Sequence, residues 1–175
     1  LFAQTYITHV TIADVEKQKF VPDQTVVITN DIITKVQPAE RVIIPAYAIV
    51  IDGSGKYLIP GLIDAHVHFS QTGGLYTRPD AIDLQKVKPY QDEIKWSHDH
   101  MDEVLRRYLR NGITSVIDIG TTPNFQKQRE QFKNATFAPD IYMSGPLLTT
   151  YEPDVFKNLN DDNPFNLVTT IEGGR

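Results

Sequence analysis

Residues 60–69 read Pro-Gly-Leu-Ile-Asp-Ala-His-Val-His-Phe, and no other stretch restricts the fold so tightly. Lys56 to Ile59 form an extended approach and Pro60-Gly61 a break, after which Leu62 to Phe69 form a short apolar run that reads as a strand. In a strand successive side chains alternate faces, so Asp64, His66 and His68 share one face and Ile63, Ala65, Val67 and Phe69 the other. A polar residue at every second position is costly against a dry core and natural against a cation or a wet cavity. Residues two apart lie about 6.5 Å apart along a strand. Two imidazoles at that separation can converge on one ion, about 2.0–2.1 Å from each nitrogen. A bare His-x-His is a weak signal, more often surface or hydrogen-bonded filler; here its context sharpens it.

The full string DGSGKYLIPGLIDAHVHF, residues 52–69, closely resembles the opening of the catalytic barrel in the amidohydrolase superfamily, most nearly its imidazolonepropionase-like and dipeptidase-like branch. By that resemblance His66 and His68 are metal ligands, Asp64 is a supporting residue behind them, and the cofactor is a divalent metal, one or two ions in the complete protein. Zinc is the default because two imidazoles suit it; iron, nickel or manganese also fit such donors, depending on the remaining ligands. The family's other parts are a Lys or Glu from the fourth barrel strand, His from the fifth and sixth, and an Asp general base from the eighth. None falls within this sequence, so the base is expected beyond residue 175 and the chain alone is expected to be inert.

The sequence has 175 residues, too few for a complete eight-stranded α/β barrel of about 250. It lacks an initiator Met and stops at Glu172-Gly173-Gly174-Arg175, which suggests the N-terminal part of a longer protein. A net charge of −5 with mixed signs argues against nucleic acid, and no apolar run is long enough to span a membrane. Without cysteine there are neither disulfides nor thiolate ligands. Leu1-Phe2-Ala3-Gln4 looks like the tail of a secretory segment, which suggests an exported protein, periplasmic or secreted, with a cytoplasmic one as the alternative.

Residues 1–57 read as short strands: Thr5–Val15 with alternating apolar residues, a turn at Val21-Pro22-Asp23, then Thr25–Thr29, a tight turn at Asn30-Asp31, Ile32–Val36, and Ala46–Asp52. The pattern suits half of a small β-sandwich. In the resembled family such a sandwich is completed by C-terminal strands, and without them one sheet edge is open to self-association. His9 has no ligand-type neighbour and is read as filler. Residues 58–175 form the second domain.

Ser70–Pro89 is a long loop that should lie at the barrel mouth, where Tyr76 and Arg78 are candidate substrate contacts, Arg78 as a clamp for a carboxylate. One helix is expected over Asp92–Asn111, with Met101, Val104, Leu105, Tyr108 and Leu109 on its apolar stripe and Asn111-Gly112 as its cap. Its own His98-x-His100 points about 200° apart round the axis and cannot readily share an ion. Ile113–Gly120 is a buried parallel strand in which Asp118 either supports the metal site or caps the next helix. Thr122-Pro123 starts that helix, with Phe125 and Phe132 as a thin apolar stripe. Asp140–Ser144 is a third strand, Leu147–Asn166 a further mouth loop, and Thr169–Glu172 the start of another helix.

The fold class is therefore α/β: the first three strand–helix units of a (β/α)8 TIM-type barrel, preceded by a small β-sandwich half. The implied activity is metal-assisted hydrolysis of a C–N (amide) bond in a small cyclic amide or a dipeptide. The alternatives are a deaminase of a nitrogen heterocycle on the same scaffold, or a non-catalytic amidohydrolase-like scaffold.

Overall fold

Contacts divide the chain, whose residues 4–71, 74–157 and 159–174 are described by a computed structural model, into two units, Leu1–Pro60 and Gly61–Arg175. Of the suspected leader remnant, residues 1–3 lie outside the described residues, and Gln4 already belongs to a strand.

The first unit is one five-stranded sheet built from β1 (Gln4–Asp14), β2 (Lys19–Thr29), β3 (Ile32–Pro38), β4 (Ile49–Asp52) and β5 (Tyr57–Leu58). Its order is β3-β2-β1-β4, and β5 also pairs with β1. The β1–β2 and β2–β3 pairs are antiparallel, whereas β4 and β5 run parallel to β1. Tyr6, Thr8 and Val10 of β1 are buried, as are Val26 and Val27 of β2, of which Val27 pairs with Tyr6. Two details differ from the sequence reading. Val21-Pro22-Asp23 is not a turn; it lies inside β2, and the chain turns at residues 15–18 instead. Val10 pairs with Gln24 and Ile12 with Val21, so Pro22 and Asp23 together oppose Thr11. This bulge accommodates a proline that has no N–H for the ladder. Asp23 and His9 both have positive φ there (52° and 53°), and their side chains meet at 2.7 Å on the surface. The strand expected from Ala46 starts only at Ile49, after a turn closed by the Ala48 N–H on the Pro45 carbonyl. Asn30 and Asp31, at φ 50° and 65°, do form the tight hairpin turn.

In the second unit β6 (Leu62–Val67), β7 (Ile113–Asp118) and β8 (Asp140–Met143) form a parallel sheet in the order β6-β7-β8. Pro60-Gly61 acts there as more than a break. A Cβ on Gly61 would lie 2.5 Å from Thr114 Cγ2 and 2.7 Å from its Cβ, so only glycine lets β6 enter this close to β7. The Leu62 N–H then bonds Gly112 O at 2.9 Å. Gly112, at φ +76°, takes the left-handed position expected after Asn111.

The expected single helix is two, α1 (Tyr90–Asp99) and α2 (Met101–Arg110). His100 leaves helical geometry at φ −115°, ψ 17°. Its Nδ1 lies 2.9 Å from the Trp96 carbonyl and its ring stacks on Trp96 at 4.3 Å, a local arrangement that competes with continued helix. Met101 and Leu105 of α2 pack with Val67 and Val116 of the sheet, with Phe69 just beyond β6 and with Phe125 of α3 (Pro123–Phe132) to form the core. Thr122 caps α3 through its hydroxyl, which accepts from the Phe125 N–H, with Pro123 at the first helical position.

The segment expected to be a plain loop after β8 carries β9 (Leu147–Thr149) and β10 (Phe165–Leu167), a parallel pair, and two short 3-10 turns, Asp154–Phe156 and Asn160–Asp162. Polar composition concealed its anchor: Phe156 is buried against Tyr90, Ile94 and Phe165. The expected helix start at Thr169–Glu172 is not formed; residues 171–174 form a turn, and among the described residues no α-helix follows β8. No helix among them is long and apolar enough to cross a membrane.

Candidate functional site

β6 delivers the two histidines to its C-terminal end. His66 is its penultimate residue and His68 the first beyond it, where the chain turns with the Gln71 N–H on the His68 carbonyl at 3.0 Å. The two rings lie side by side, centroids 5.3 Å apart and planes at 86°. Two imidazoles sharing one tetrahedral ion at about 2.1 Å would place their centroids about 5.2 Å apart, so the spacing of this pair matches that of two such donors. His66 is exposed and the His68 side chain is 27% exposed, so both rings can be reached from outside.

Behind His68 stands Asp118, the last residue of β7. Its side chain is fully buried; Oδ2 accepts the Phe69 N–H at 3.1 Å, whereas Oδ1 has no hydrogen-bond partner and lies 3.8 Å from His68 Nδ1. Burial pushes its carboxyl above the usual carboxylate range, opposed by the Phe69 amide and by His68. An orphaned buried carboxylate oxygen facing an imidazole is what a ring-orienting carboxylate needs. A Cβ on Gly120 would lie 3.2 Å from a Leu147 methyl, a tight approach, and 3.4 Å from His68 Cε1, an ordinary contact. Asp64 is spent differently, its Oδ1 accepting the backbone N–H of His66 at 3.2 Å. Beside His68 a cavity of ≈ 330 Å³ opens against α2, lined by Phe69, Trp96, Met101, Val104 and Tyr108.

The other candidates are engaged elsewhere. The Arg78 guanidinium grips Asp80 through two bonds, 2.9 and 2.8 Å, and Tyr76 lies under the Lys88 ammonium at 5.7 Å. His98 and His100 face different partners, Asp162 and Gln128 for the first and Trp96 for the second. Among the described residues no group of three or more His, Cys, Asp or Glu side chains could hold a metal. The roles of Gly120 and Asp162 had no sequence signal, since each depends on a neighbour far along the chain.

Solved structures share this fold. A prolidase complexed with N-methylphosphonate-L-proline matches 98% of the chain over 42% of its own length, at 23% identity and a TM-score of 0.69. Molinate hydrolase matches 83% of the chain over 30% of its own length, at 23% and 0.59. An Xaa-Pro dipeptidase with bound methionine in its active site matches 91% over 38%, at 19% and 0.60. The chain thus spans about a third to two-fifths of the length of these proteins. No curated protein matched it in sequence. The amidohydrolase family matches residues 57–172, and the chain belongs to that family, whose members generally bind a divalent metal.

Proposed function

We propose that this chain is the N-terminal part of a metal-dependent hydrolase that cleaves the C–N bond of a small amide, either a cyclic amide or a dipeptide. In this reading residues 58–175 supply the first strands of a (β/α)8 barrel and residues 1–57 half of a small β-sandwich. The observation that carries it is the pair of imidazoles held side by side at the C-terminal end of a parallel strand, where barrel enzymes place their chemistry.

His66 and His68 hold the ion, and zinc is the first choice for two imidazole donors. When bound, such an ion supplies a water acidified to a pKa near about 7 and a Lewis acid for the carbonyl oxygen. Asp118 Oδ1, 3.8 Å from His68 Nδ1, has to close by several tenths of an ångström to hold a proton on that nitrogen, which would leave the Nε2 lone pair free to ligate. Asp64 fixes the strand backbone at His66. Arg78, with its fork filled by Asp80, and Tyr76 are left out of the site. The general base and the other ligands come from the part of the protein beyond residue 175.

Dipeptides are the substrates to try first, because a prolidase and an Xaa-Pro dipeptidase are among the similar folds. The test is an assay of the full-length protein on X-Pro dipeptides, cyclic amides and amino-substituted heterocycles, with and without a chelator. Chelator-sensitive amide cleavage is expected. Ammonia release from the heterocycles alone would favour the deaminase, and no C–N turnover after metal is restored would overturn the reading.

A further inference from the structure

His98 takes no part in the proposed site, yet it joins three segments. From α1, its Nδ1 lies 2.6 Å from Gln128 Oε1 of α3, and its Nε2 lies 2.8 Å from Asp162 Oδ1 of the Asn160–Asp162 turn. The acceptors cannot exchange roles. Gln128 Nε2 donates to the His98 carbonyl at 2.8 Å, which fixes the amide with its oxygen toward the ring. Asp162 Oδ2 accepts from Asn124 Nδ2 at 2.9 Å, and Oδ1 also accepts the Thr122 hydroxyl at 3.3 Å. Both ring nitrogens therefore face acceptors, and a neutral imidazole has only one N–H to offer. The ring also stacks on the buried Phe125, centroids 3.9 Å apart at 17°, a face that favours a cation.

We propose that doubly protonated His98 is a pH-operated clasp that fastens the Asn160–Asp162 turn onto α1 and α3. Losing one ring proton sets a lone pair against an acceptor, and one of the two contacts must open. The charges facing the ring are Asp162 from the turn and Asp99 from its own helix, the latter paired with Lys95 at 2.5 Å. On α3 its partners are the neutral Gln128 and Phe125; Lys127 and Asp161, next in sequence to Gln128 and Asp162, form an exposed ion pair, and the Tyr90 phenol feels the Asp162 charge. Burial works against the imidazolium, but the bonds to Asp162 and Gln128 outweigh it and raise the His98 pKa. Burial likewise opposes the Asp162 anion, and His98 and Asn124 outweigh it and lower its pKa. A raised His98 pKa gives a contribution complete below about pH 6.5 and lost as pH climbs through the raised value. A lowered Asp162 pKa gives one present above about pH 3.9 and lost as pH falls through the lowered value.

The test is hydrogen exchange in the full-length protein between pH 6 and 8.5, read at Asp162 and Asn163, whose N–H groups bond Leu159 O and Asn160 O. Their protection factors should be about tenfold higher at pH 6, the size expected of a charge-assisted bond. Nitrogen NMR of the His98 ring should show both nitrogens protonated at pH 6. His98→Gln should abolish the pH dependence, and Asp162→Asn should move the release to lower pH. A singly protonated ring at pH 6, protection that does not change with pH, or a pH dependence that survives His98→Gln would overturn the clasp.

Discussion

Gly61→Ala tests how β6 is seated. The new Cβ would clash first with Thr114 Oγ1 and would lie 2.5 Å from Cγ2, where ordinary contact begins near 3.4 Å, so the strands would have to separate by at least about 0.9 Å. That displacement would stretch the 2.9 Å bond between the Leu62 N–H and Gly112 O beyond hydrogen-bonding range. Overpacking of this kind costs about 1–3 kcal/mol, and the lost bond about 1 kcal/mol more. Alanine gives back about 0.4–1 kcal/mol by stiffening the unfolded chain, which leaves a net destabilisation of about 2 kcal/mol. Urea unfolding of the 175-residue chain, carrying Gly61→Ala, Thr114→Gly and both, closes a double-mutant cycle. The two changes should couple by at least about 1 kcal/mol, because Thr114→Gly removes the three atoms nearest the new methyl. A neutral Gly61→Ala, or strict additivity, would refute the close-approach argument.

Asp118→Asn should weaken metal binding by the full-length protein about 10- to 100-fold in a chelator-competition titration, while thermal stability does not fall, since a buried, half-partnered carboxylate is removed. Phe125→Ala, at a fully buried position under the His98 ring, should cost about 3–5 kcal/mol by urea denaturation. Thr122→Ala removes the cap of α3 together with a bond to Asp162 and should cost about 1–2 kcal/mol, measured the same way.

Where a feature depended on its own few residues, the sequence showed it. Asn30-Asp31, Gly112 and Thr122-Pro123 each specify a backbone conformation locally, and each stands where the pattern placed it. The strand–helix order of the second unit followed from the change in apolar period between β6, the helices and β7. What escaped depended on distant partners. Pro22 reads as a turn until β1 is seen to offer it a bulge, and the break at His100 depends on an imidazole finding the Trp96 carbonyl rather than on any glycine or proline. The segment after β8 looks like loop because it is held by one buried phenylalanine and one aspartate, neither of which makes a periodic pattern. In the candidate site the His66-x-His68 pair was visible as an alternation. Gly120, whose place beside His68 is tight only against Leu147, needed the fold.

The chain contains two His-x-His pairs, one on a strand and one astride a helix break, and their comparison is the most direct test of the account. Metal content is measured in the full-length protein and in the His66→Ala, His68→Ala, His98→Ala and His100→Ala variants. The account predicts that the first two lose bound metal and the last two keep it. Undiminished metal in both His66→Ala and His68→Ala would contradict it.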